Sequence, residues 1–131
     1  MCLKNIVPAK RKSRKGWKIF MRIRSSGKLV SPFASTKFLD AKGEPTNRGF
    51  NNGRPDFPIG KEVQSQIVFY VFKRKKDAER VLKESGDFAR WLIVFPDQCE
   101  IRKVACREVL EEGVACCQPS FTCKYLTVLE G

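Results

Sequence analysis

The apolar residues of this 131-residue chain come in runs of strand length, and only one stretch carries a helical period. Ile67-Val-Phe-Tyr-Val-Phe72 and Trp91-Leu-Ile-Val-Phe95 are the longest runs, and neither approaches the ~20 residues that span a bilayer. Elsewhere apolar and polar side chains alternate at the two-residue period of a half-buried strand. A chain built this way is expected to fold as α+β, mostly antiparallel β-sheet packed with one main helix. Its length suits one domain, and 42% hydrophobic residues with 10 Phe supply a core.

Along the chain, Trp17–Arg24 reads as a strand with Trp17, Ile19, Met21 and Ile23 on one face. Lys18, Phe20, Arg22 and Arg24 fall on the other, outward face. Ser25-Ser26-Gly27-Lys28 is a turn signal, after which Leu29-Val30 starts a return strand that Pro32 stops. Residues 31–61 are rich in Gly, Pro and Asn but also hold Phe33, Phe38, Phe50 and Phe57, the pattern of a long packed loop. Gln66–Phe72 is a predicted buried strand. A helix is predicted over Arg74–Ser85, with Ala78, Val81 and Leu82 facing inward and Gly86 as its stop. Trp91–Phe95, Ile101–Cys106, Val109-Leu110, Val114–Cys117 and Phe121–Leu129 read as further strands. Glu111-Glu112-Gly113 and Gln118-Pro119 are the turns expected among them.

Charge is distributed unevenly over this framework. The first 28 residues carry ten cations (Lys4, Lys10, Arg11, Lys12, Arg14, Lys15, Lys18, Arg22, Arg24 and Lys28) and no Asp or Glu, which accounts for +10 of the net +12. Residues 1–15 read as a basic N-terminal arm and 16–131 as the compact domain. Like charges packed this densely call for an anionic partner. Lys10, Arg11, Lys12, Arg14, Lys15, Lys18, Arg22, Arg24 and Lys28 are therefore candidate phosphate contacts, with Phe20 as the stacking ring. Trp17, on the opposite face, is expected in the core. A second cluster, Lys73, Arg74, Lys75, Lys76 and Arg80, lies at the predicted helix start, where backbone N–H groups also favour an anion such as phosphate.

The chain has no histidine, which removes the commonest general base and the usual partner of a nucleophilic Ser or Cys. No carboxylate pair has the look of an acid–base dyad, and no phosphate-binding glycine loop occurs. Cys2, Cys99, Cys106, Cys116, Cys117 and Cys123 match no zinc spacing, so they read as small core residues, with a Cys₄ site across strands as the alternative. Neither a metal nor another cofactor is expected. No apolar stretch directly follows the basic start as a secretory leader requires, so a soluble cytoplasmic protein is expected.

The order Trp17-Lys18, Leu29-Val30-Ser31-Pro32-Phe33, Phe69-Tyr70-Val71-Phe72 and Lys76-Asp77-Ala78 resembles an uncharacterised family of small domains in bacteria and their phages. Phe69-Tyr70 stands where that family has Gly and His nearby, so no role for the His carries over. The resemblance implies a phage or mobile-element origin and brings no activity with it. The expected function is non-enzymatic binding of nucleic acid, RNA or single strands rather than duplex bases. One alternative is a small inhibitor docking on a host nucleoprotein or defence complex through an acidic partner surface. Another is an enzyme or sequestering protein that takes a phosphate-bearing nucleotide.

Overall fold

A computed structural model of the protein describes residues 3–31, 56–88, 96–115 and 118–130. The elements run β1 (Lys4–Pro8), β2 (Ser13–Arg22), β3 (Leu29–Val30), β4 (Glu62–Phe72), α1 (Lys75–Phe88), a single 3₁₀ turn (Pro96–Gln98), β5 (Cys99–Ala115) and β6 (Gln118–Val128). The strands form one antiparallel sheet in the order β1-β5-β6-β4-β2-β3.

The spine is β5, 17 residues long. Its first half pairs with β2, from Met21↔Cys99 to Ser13↔Arg107. Its second half takes β1 on the same edge, from Pro8↔Glu111 to Lys4↔Val114. The opposite edge pairs with β6, from Val104↔Val128 to Ala115↔Gln118. Strand β4 continues the sheet beyond β6 and returns to β2 through Trp17↔Phe72. The strands β2, β5, β6 and β4 thus close a circuit. Curvature comes from Glu108, which sits at φ 52°, and from a register shift between Val109 and Glu112. Extra residues on one strand bend it and raise its twist, which lets a small sheet curl onto itself.

Closure requires a gap in the side chains. A Cβ on Gly16 would stand 2.6 Å from Val71 Cγ1, 2.8 Å from the Phe72 carbonyl oxygen and 2.9 Å from the Phe121 ring. Only glycine lets β2 press against β4 there. Gly113 serves the β1–β5 contact in the same way, with the Lys4 carbonyl oxygen 2.6 Å from where its Cβ would be.

Both faces of β2 are consequently covered. Phe20 points into the circuit with Val71, Val104, Phe121 and Leu126, and its ring meets Phe57 edge-on at 4.9 Å. Ile19 points outward beneath α1, against Phe72, Ala78 and Val81. The helix buries the apolar stripe expected from its sequence but continues through Gly86 to Phe88.

Three expectations need correction. Residues 4–8 and 13–15 belong to paired strands rather than to a free arm, because the exposed β5 edge supplies backbone partners for them. Glu111-Glu112-Gly113 is not a turn: Glu112 and Gly113 lie inside β5 and pair with Phe121 and Ser120. Gln118-Pro119 likewise begins β6. The β2–β3 hairpin is present, closed by Gly27 N–H donating to the Ile23 carbonyl at 2.7 Å, with Gly27 at φ 72°. The predicted strand Trp91–Phe95 and most of the Gly/Pro/Asn-rich loop lie outside the described residues.

Gly16→Ala should lower stability by about 3 kcal/mol, since neighbouring backbone as well as side chains must move. Gly27→Ala meets no neighbouring atom and costs only its strained φ, about 1 kcal/mol. Urea unfolding of both variants checks this, and equal losses would count against closure at Gly16.

Candidate nucleic-acid interface

Outside the circuit, β2, β5, β6 and β4 present one continuous wall. Ladder register fixes its composition: Trp17 lies beside Lys103, Lys15 beside Ala105, and Ser13 beside Arg107. Across β5, Ala105 neighbours Thr127 and Arg107 neighbours Tyr125, which in turn faces Gln64. Alternation directs these side chains outward while Val104, Cys106, Leu126 and Val128 fill the interior.

Trp17 is the centre of one end of this wall. Its ring is half-buried, with the Lys75 ammonium 5.5 Å and the Lys103 ammonium 5.8 Å from its centroid. Helix α1 covers the strand beyond it and delivers Lys75 from its first turn. At the other end, the Arg107 guanidinium lies 4.0 Å over the Tyr125 ring. Glu62 holds Arg107 through two bonds of 2.7 and 3.1 Å, which lowers the Glu62 pKa and raises that of Arg107. Ala105, the small residue between the two ends, keeps the middle of the wall low.

The sequence-predicted residues separate into three groups. Lys10, Arg11, Lys12 and Lys15 are exposed and form no ion pair among the described residues. They extend the wall, because the 9–12 connection is pinned beside it by Val109 N–H donating to the Lys12 carbonyl. Arg24 and Lys28 are exposed but sit at the opposite end of β2, about 30 Å from Lys15 at strand rise. The remaining four are committed to the fold. Phe20 is fully buried and offers no stacking surface. Arg22 forks onto Glu100 at 2.7 and 3.0 Å, and Arg102 adds a third bond that helps to hold the Glu100 pKa down. Arg14 lies 4.5 Å over the Phe121 ring and pairs with Glu112 at 3.3 Å. Lys18 lies inside the circuit and donates to the Tyr70 carbonyl at 2.8 Å.

At the helix start, the protein's own carboxylates occupy part of the expected anion site. Lys73 contacts Glu112 at 2.6 Å, the main cause of the lowered Glu112 pKa. Arg74 forks onto buried Asp77 at 2.9 and 3.0 Å, and this raises its pKa. An acid in the first turn suits the positive end of the helix. Lys75, Lys76 and Arg80 are left exposed, with Lys75 turned toward Trp17.

Cys106 and Cys123 are free thiols in the interior core, and Cys99 is half-buried. Burial pushes the Cys99 thiol up to about 12, and a contact with Cys123 together with burial raises Cys106. High pKa values describe inert thiols. Among the described residues, no three His, Cys, Asp or Glu side chains converge as a metal site requires.

Burial pushes Lys18 down to about 8, partly offset by the neighbouring thiols of Cys123 and Cys106. A base whose folded pKa lies below its unfolded value holds its proton less tightly in the native state. Its protonation opposes folding below pH 8, and that penalty is relieved as pH rises from about 8 toward 10.5. The raised thiols act in the opposite sense above pH 9, so the wild-type profile mixes the two effects. Lys18→Met isolates the lysine: its stability relative to wild type should fall by about 1.4 kcal/mol per pH unit above pH 8. Denaturant titrations of both proteins at pH 7, 8, 9 and 10 measure that difference. A constant difference would contradict the buried lysine.

Trp17 was expected in the core and is instead half-buried on the outer wall, because the face it shares with Ile19 lies outside the circuit; Lys103, Arg107 and Tyr125 were not singled out from the sequence. The outward alternation of Lys103, Ala105 and Arg107 against Val104 and Cys106 was a legible signal, but the meeting of these residues with Trp17 depends on β2 pairing with β5. No family model, curated protein or solved structure matches this chain.

Proposed function

We infer that this protein binds single-stranded nucleic acid along the outer wall of β2, β5 and β6. The observation that carries the reading is Trp17, a half-buried indole flanked by Lys75 and Lys103 with Lys15 next along the strand. A base can stack on this indole by displacing the mobile ammonium groups of Lys75 and Lys103 from over the ring, and those groups then meet the adjoining phosphates. The cations continue toward Lys12, Arg11 and Lys10, giving a stripe along β2 that a flexible polyanion can follow. A duplex hides its base faces, so the indole favours single strands. The face of Phe20 and Arg22, expected to point outward, plays no part, since Phe20 is interior and Arg22 is neutralised.

Lys10, Arg11, Lys12, Lys15, Lys75 and Lys103 amount to about six phosphate contacts, so log K should fall with log salt at a slope of about −4 for a single strand. Replacing Lys12, Lys15 and Lys103 together with Gln should bring the slope near −2, measured by fluorescence anisotropy of a labelled oligothymidylate. A second measurement follows the indole itself. In a Trp91→Phe background, the emission of Trp17 should be quenched by oligothymidylate, and Trp17→Leu should weaken binding by about 1–3 kcal/mol. A shallow slope with unquenched emission would overturn the reading. An acidic protein as the true partner would show itself in pull-downs that survive nuclease treatment.

A further inference from the structure

We propose that Arg107, with its guanidinium over Tyr125, is a second base-stacking platform on the same wall, so that the ligand is a single strand with two bases held on separate planes. This rests on the binding function inferred above for Trp17.

Three contacts fix Arg107 as a plane rather than a mobile charge. Its guanidinium lies 4.0 Å from the Tyr125 centroid, and Glu62 grips it with two bonds of 2.7 and 3.1 Å. Its side chain remains 52% exposed, so solvent and a ligand can reach it from outside the wall. A guanidinium held flat is a stacking surface for any nucleobase. Glu62 cancels the charge of Arg107, so this end contributes a plane rather than phosphate attraction. Phosphates are drawn instead to Lys15 and Lys103, which runs the sugar–phosphate chain along β2 and turns the bases toward β6.

Spacing limits the ligand. Lys103, beside Trp17, lies four residues from Arg107 on β5, so the platforms are about 14 Å apart. A stacked strand rising about 3.4 Å per nucleotide covers that distance in four steps, and a stretched strand in fewer. Ala105 and Thr127 between them leave a low floor over which the chain can pass.

Six-nucleotide oligothymidylates with one abasic position, moved along the strand, test the proposal. Wild type should lose about tenfold affinity at two positions no more than four nucleotides apart, whereas Arg107→Lys should lose it at only one. The double variant Arg107→Gln with Glu62→Gln, which keeps the local charge at zero, should behave like Arg107→Lys. Tyr125→Leu, which removes the support, should match both, while Tyr125→Phe keeps two sensitive positions. Thermal melting establishes that each variant is folded. If wild type binds but shows a single sensitive position, or Arg107→Lys keeps two, the second platform is overturned while binding at Trp17 stands. If wild type does not bind oligothymidylate, both fall.

Discussion

The closure of β2 onto β4 at Gly16 is the contact on which the rest of this molecule depends. Within 3 Å of where a Cβ would stand lie a side chain from β4, a carbonyl from β4 and a ring from β6. Without that approach the sheet would be an open ladder, with Phe20 and Phe121 facing water or a helix too short to cover both faces. With it, four strands enclose a dry interior, and α1 has only the outer patch around Ile19 and Phe72 to cover. Curvature at Glu108 brings the long strand β5 round to serve both β2 and β1.

Closure also redistributes charge. A strand in an open sheet shows one face to solvent, so its alternating cations stay available. In a closed circuit the inward face goes dry, and Lys18 is carried inside, where its ammonium donates to the Tyr70 carbonyl. Arg14 and Arg22 lie at the two ends of that row, where they reach Glu112 and Glu100. Glu112 accepts from Arg14, Lys73 and the Lys10 backbone N–H, and so ties β2, the helix start and the β1–β2 connection to β5. One carboxylate thereby partners Arg14, a cation that reads as uncompensated in the linear sequence. Of the cations left over, Lys10, Arg11, Lys12, Lys15 and Lys103 lie on the outer wall and the adjoining 10–12 segment.

That wall differs from a diffuse basic surface in having fixed planes. Trp17 is held by the edge of the helix and Arg107 by Tyr125 and Glu62. Lysines supply attraction without geometry, whereas the two planes supply geometry with little charge. Under the proposed reading, the division suits a ligand whose phosphates are uniform and whose bases are flat and free to splay.

The strand periodicity, the single helix and the β2–β3 turn were legible in the sequence, because they follow from local alternation and from glycine at a left-handed position. The excess of cations near the N-terminus was equally plain, as was the lack of a histidine. Local rules could not decide which face of β2 would be solvated, since Trp17, Ile19 and Met21 make as good an apolar face as any. Placing Trp17 on the outer wall and burying Phe20 and Lys18 required knowing that a glycine in β2 would meet β4. In the same way, Glu111-Glu112-Gly113 has turn composition, yet backbone partners on two sides hold it in a strand. Composition and period set the elements and the sign of the charge. Which side chains share a surface was set by strand pairing between residues some 90 positions apart, and that is a property of the folded chain alone.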